Sequence, residues 1–180
     1  MKRIILAVAV AFVATTASAK AQLNVFACEP EWEVLVQELG GSDVSTFVAT
    51  TGLQDVHKIQ ARPSLIAKAR AADLMVCTGG ELEIGWLPMV LQQASNPKIL
   101  AGSPGMFEAA SMVQLLDPPA RLDRSDGDIH ASGNPHIVTD PRYVLAVAGP
   151  LAERMAELDP AQADGYRSRY ADFEARFGAA

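Results

Sequence analysis

Three histidines, His57, His130 and His136, are the side chains in this sequence best suited to chemistry. Neutral imidazole is a common protein ligand for zinc, and a neighbouring Asp often fixes which ring nitrogen is free to bind. Asp55 lies two residues before His57, and Asp140 lies four residues after His136, close enough in sequence to orient those rings. His130 sits just before His136 in an acidic stretch holding Asp123, Asp126 and Asp128. Taken by itself, His130 reads as a solvated loop residue, with third ligand or transient metal-capturing group as the sharper readings. Spacing alone explains His57 and His136 better as two surface loop histidines than as a metal pair.

Nucleophilic chemistry has weaker support. A catalytic cysteine needs a base in reach and a lowered pKa, and neither Cys28-Glu-Pro nor Cys77-Thr-Gly-Gly carries a cysteine-hydrolase signature. Ser103 lies in Gly-Ser-Pro-Gly, which is not a G-x-S-x-G elbow. Gly79-Gly80 lacks the spacing and the Lys of a phosphate loop. Two cysteines cannot build a four-thiolate zinc site. They end the first and third expected strands, which are neighbours in a sheet of order 2-1-3. A disulfide and two buried free thiols both fit, with the disulfide slightly preferred. The formal net charge of −6, from 21 acidic and 15 basic side chains, argues against a nucleic-acid partner.

The elements that must position these residues follow from periodicity and punctuation. Leu23–Cys28, Val44–Ala49, Leu74–Cys77 and Lys98–Ala101 read as strands. Helices are expected from Pro30 to Leu39, Pro63 to Ala72 and Trp86 to Ala94. The alternation β-α-β-α-β-α-β predicts an α/β fold, a parallel sheet with flanking helices. Loops beyond the carboxyl ends of such strands converge on a crevice, and the loop carrying His57 follows the second strand. Residues 117–135, rich in Pro, Gly and Asp, form a long loop. Asp140-Pro141 and Asp159-Pro160 each start a helix, and Tyr166, Tyr170, Phe173 and Phe177 form a stripe that needs a surface to cover it.

Residues 1–19 have the pattern of a cleavable export signal: Lys2 and Arg3, an apolar run from Ile4 to Ala14, then Ala17-Ser18-Ala19. That predicts a periplasmic or secreted product. Cys28 is not read as a lipid-anchor site, because Lys20, Gln22 and Asn24 separate it from the apolar run.

Three stretches together resemble the substrate-binding proteins of zinc and manganese ABC transporters, in their periplasmic zinc-binding branch. Gly52-Leu53-Gln54-Asp55-Val56-His57 is similar to that family's G-x-x-D-P-H loop. Residues 72–83, Ala-Asp-Leu-Met-Val-Cys-Thr-Gly-Gly-Glu-Leu-Glu, resemble its A-D-L-V-V strand and turn. Gly133-Asn134-Pro135-His136-Ile137-Val138-Thr139-Asp140-Pro141 resembles its N-P-H-x-W-x-D-P segment. Val56 and Val138 replace the family's Pro and Trp, which affects loop packing more than ligation.

The resemblance implies His57 and His136 as metal ligands. It also implies a flexible loop in which His130, with Asp126 or Asp128, captures zinc and passes it inward. The expected organisation is a signal peptide at 1–19, an N-terminal α/β metal-binding lobe at 20–139, and a helical segment at 140–180 leading into an interlobe helix. The family's second lobe, which supplies the remaining ligands, is expected to be absent from this chain. The implied function is a non-enzymatic periplasmic component of an ABC importer. Zn(II), or alternatively Mn(II), would be its cargo. Its partners would be a membrane permease and a periplasmic zinc donor protein. The alternatives are a degenerate lobe acting as an adhesin-like interaction protein, and a hydrolase using His136 with an acidic residue.

Overall fold

The computed structural model describes residues 21–179 except 124 and 126. The expected signal peptide therefore lies outside the described residues, as does Asp126. Four strands, β1 (Leu23–Ala27), β2 (Val44–Val48), β3 (Leu74–Cys77) and β4 (Met106–Glu108), form one sheet in the order β2-β1-β3-β4. All the pairings are parallel. Five helices accompany it: α1 (Pro30–Gly40), α2 (Pro63–Ala71), α3 (Leu87–Ala94), α4 (Pro141–Leu158) and α5 (Ala163–Phe177).

Side chains alternate across a strand, so each central strand feeds two cores. Val25, Ala27, Leu74 and Val76 pack toward α1, α4 and α5 with Trp32, Leu151 and Tyr166. Phe26, Cys28, Met75 and Cys77 pack toward α2 and α3 with Leu65, Trp86 and Val90. Burial on both faces is why these strands read as continuous apolar runs rather than as alternating ones. Cys28 continues the register beside Cys77, with its N–H on the Val76 carbonyl at 2.8 Å. The two form a disulfide with Cα atoms 4.8 Å apart, which resolves the choice left open by the sequence.

The fourth strand is not Lys98–Ala101. Pro97–Ile99 is a 3-10 turn, because Pro97 offers no N–H and the Asn96 side chain accepts the Lys98 N–H at 3.0 Å. The Asn96 amide also donates to the Ala69 and Ala72 carbonyls, tying this turn to the end of α2. The chain then reaches the sheet through Gly105, where a Cβ would sit 2.4 Å from the Lys98 carbonyl oxygen. The real strand, Met-Phe-Glu, is too short to stand out by pattern.

The aromatic stripe of α5 finds its cover within this fold. Tyr166 and Phe173 are buried in the core shared with α1 and α4. Arg169 ties α5 to the end of α1, donating to the Leu39 carbonyl at 2.6 Å and pairing with Asp43 at 3.0 Å. Among the described residues, no helix is long and apolar enough to cross a membrane.

Candidate metal centre

His57 is placed by a single side chain. Oδ1 of Asp55 caps the short 3-10 turn Val56–Lys58, accepting the His57 backbone N–H at 3.1 Å. The same oxygen meets the ring Nδ1 at 2.9 Å. These bonds, the ring bond foremost, hold the Asp55 carboxyl down to about 2. An ionised Asp55 keeps the proton on Nδ1 and leaves the Nε2 lone pair free.

His136 is placed the same way by an amide. Asn134 Oδ1 accepts the His136 backbone N–H at 3.0 Å and meets its Nδ1 at 2.8 Å. The sequence pointed to Asp140 as the orienting group, and the structure corrects this. Asp140 caps α4, accepting the Arg142 N–H at 2.9 Å, and pairs with the Arg142 guanidinium. Asx-x-His therefore occurs twice, at 55–57 and at 134–136, and each copy leaves Nε2 as the available ligand atom. The group behind the His136 ring is an amide, where His57 has an acid.

His130 is only 9% exposed, unlike a solvated loop residue. Its Nε2 lies 3.3 Å from the Nε2 of His57, and its buried Nδ1 has no hydrogen-bond partner. Burial first, then the two neighbouring imidazoles, push its pKa down and favour the neutral, metal-competent ring. Ring centroids are separated by 5.4 Å (His57–His130), 5.7 Å (His57–His136) and 6.0 Å (His130–His136). The structure thus gathers all three histidines, from two loops, at one end of the fold. A cleft of about 400 Å³ opens beside them, lined by His57, Lys58, Glu81, Ile84, Asp128 and His130. A cavity of similar size, about 440 Å³, lies elsewhere, lined by Leu23, Asp73, Lys98 and Gly105. It has no histidine.

The donor set fits a zinc-class cation. Two nitrogens bound to one tetrahedral zinc at roughly 2.0–2.1 Å sit about 3.3 Å apart, which is the separation of the His57 and His130 Nε2 atoms. Cys28, Cys77 and Glu83 also lie close together, but the two sulfurs are bonded to each other and offer no thiolate. Ser103 is a turn residue whose hydroxyl donates to the Lys98 and Leu100 carbonyls.

The strand-and-turn stretch that carried part of the resemblance also braces the site, a role its residues did not reveal in the sequence. Residues 78–86 follow β3 and touch both histidine loops. The Trp86 indole N–H donates to the Val56 carbonyl at 2.9 Å. A Cβ at Gly85 would lie 2.4 Å from the His57 carbonyl oxygen, and one at Gly80 would lie 3.2 Å from Pro135. Glu81 accepts the Ala131 N–H at 2.8 Å. Only the fold reveals these contacts, since the partners are distant in sequence.

Comparison with known proteins agrees with this architecture. The model of the family described as "Zinc-uptake complex component A periplasmic" (ZnuA) matches residues 25–180. A crystal structure of ZnuA superposes with a TM-score of 0.67 at 23% identity, over 88% of this chain and 56% of that one. A ZnuA deletion mutant with zinc bound gives 0.71 at 24% identity, over 88% and 55%. Zn(II)-bound AdcA from Streptococcus pneumoniae gives 0.69 at 15% identity, over 88% and 31%. The chain spans about half the length of the ZnuA structures it matches, and less of AdcA. No curated protein sequence is similar enough to count as a relative. With its parallel sheet, its clustered histidines and a family match from residue 25 onward, the chain belongs to the ZnuA family of periplasmic zinc-uptake components.

Proposed function

We propose that this chain is the metal-capturing lobe of a periplasmic binding component of an ABC importer, with Zn(II) as cargo. His57, His130 and His136 hold the ion through their Nε2 atoms. The observation that carries this reading is the 3.3 Å approach of the His57 and His130 Nε2 atoms, with the His57 and His136 rings locked through Nδ1. Without a cation, one of those two nitrogens must carry a proton toward the other. With one, both lone pairs are used. Three imidazoles favour zinc over manganese, which prefers oxygen ligands. The matched relatives are about twice as long, so further ligands from a second lobe complete the shell in this reading. The loaded protein passes zinc to a membrane permease, and no bond of a substrate is made or broken. A periplasmic donor protein supplies the zinc.

The test is Zn(II) binding by the chain, followed by chelator competition and by thermal unfolding. A ligand that binds only the native state at about 100 times its dissociation constant stabilises by about 2.7 kcal/mol. We expect one zinc per chain and a raised Tm, with binding weakened at least tenfold in His57→Ala and in His136→Ala. No shift in Tm with millimolar zinc would favour a degenerate lobe that kept the fold and lost the metal.

A further inference from the structure

We propose that Glu81 is a positioning residue of the metal centre: its carboxylate latches the loop carrying His130 over the other two histidines. This rests on the three-histidine reading above. Glu81 stands at φ 72°, in the left-handed region where glycine is the easy choice, directly after Gly79 and Gly80, which are also at positive φ. An L residue is costly there, and such outliers persist where the side chain has a task. The carboxylate of Glu81 spans 50 residues to accept the Ala131 N–H at 2.8 Å, one residue beyond His130.

The other end of the latched segment is fixed independently. Asn134 donates to the Leu116 carbonyl at 2.7 Å and forms a bridge with it. Gly133, at φ 118°, is pressed so close to Leu116 that a Cβ would lie 2.6 Å from its carbonyl oxygen. That anchor secures His136 through Asn134, and the Gly133 N–H donates to the His130 carbonyl at 3.2 Å, closing a turn whose far side at Ala131 has its hold in Glu81. Glu81 ties that turn to the segment after β3, and His130 is held at 9% exposure rather than in solvent. The base of the latch is itself rigid. Glu83 accepts the N–H groups of Thr78 and Gly79 at 2.8 and 3.1 Å, fixing the turn from which Glu81 projects.

The test compares Glu81→Gln, Glu81→Ala and Glu81→Gly in the full chain, with His130→Ala as reference. Zinc affinity is read by competition with a chromophoric chelator, ligand number by the visible spectrum of the Co(II) form, and apo stability by Tm. Removing a group that orients a ligand typically weakens metal binding roughly 10- to 100-fold. We expect that loss in the Ala and Gly variants, with a Co(II) spectrum like that of His130→Ala. Gln keeps an oxygen acceptor and should stay within about threefold of the parent, since the hydrogen bond survives. Gly relieves the backbone, so its apo Tm should equal or exceed the parent's while its affinity falls. A merely structural role would move both together. Parental affinity and Co(II) spectrum in the Ala and Gly variants, with His130→Ala impaired, would overturn the latch alone. Equal zinc binding by the parent and His130→Ala would instead remove the three-histidine reading, and the latch with it.

Discussion

The pair Glu29 and Glu83 makes a prediction about pH that can be worked from the structure. Both carboxyls are buried, 6% and 2% exposed. Glu29 accepts the Thr78 hydroxyl at 3.1 Å and its N–H at 3.3 Å, and the Trp32 indole donates to the same hydroxyl at 2.8 Å. Among the described residues the other Glu29 oxygen has no hydrogen-bond partner, and burial raises both carboxyls, so side by side and out of water they hold one proton between them. Burial, then the adjacent Glu83 charge, push Glu29 from 4.5 up to about 10. A carboxyl raised on folding lends its stability fully below the unfolded value and loses it as pH climbs toward the folded one. Between these limits the native state binds one more proton than the unfolded chain. The slope is then about 1.4 kcal/mol per pH unit, whatever the upper pKa.

The window from pH 7 to 9 isolates the effect. His130, shifted down, acts in the opposite sense, but only through the ordinary histidine range and below. Asp55, Asp73, Asp140 and Glu153 are all shifted down and have finished titrating by pH 7. Urea unfolding with the disulfide intact should therefore show a loss of about 3 kcal/mol from pH 7 to 9. In Glu29→Gln the slope should fall, leaving only the part that burial imposes on Glu83 itself. Parental stability constant across that window, or an equal slope in the Gln variant, would refute the shared proton.

Three more outcomes follow from particular contacts. Asp55→Asn leaves an amide at Nδ1 of His57 in place of an ionised carboxylate, and zinc affinity should drop roughly tenfold with little change in apo Tm. Gly85→Ala places a methyl 2.4 Å from the His57 carbonyl oxygen. It should cost about 1–3 kcal/mol by overpacking and weaken zinc binding by shifting the His57 loop, both read from one titrated melting series. Replacing Cys28 and Cys77 by Ala opens a cross-link spanning 49 residues, and should cost about 4 kcal/mol in the chain-entropy account. Zinc stoichiometry should be unchanged, because neither sulfur is a ligand.

What could be read from the sequence was what local chemistry decides. Strand and helix runs, Asp140 as a helix cap and Asp55 behind His57 are all i to i+2 or periodic signals. Asn134 carried the same signal as Asp55, two residues before a histidine, and recognising Asx-x-His as one device would have found it. β4 escaped because three residues have no period, while the apolar Ile99-Leu100 pair drew the strand reading to a 3-10 turn instead. The burial of His130 had no local cause to read. It depends on Glu81, which reaches Ala131 from 50 residues away, and on a turn held by a buried carboxyl.

That dependence bears on how one lobe can hold a metal site ready. The histidine loops leave the sheet at its carboxyl end, where loops have few neighbours and would ordinarily be mobile. Here segment 78–86 contacts each of them: Trp86 and Gly85 against the His57 loop, Glu81 beside His130, Gly80 against Pro135. The segment is fixed in turn to β3 by Glu83, and β3 is bound to β1 by the disulfide at its end. Order thus runs outward from the core to the imidazoles through bonds of known length. The entropy of assembling three ligands is met on folding rather than on binding. In the proposed reading, a lobe built this way needs only the cation, and ligands from elsewhere, to close the shell.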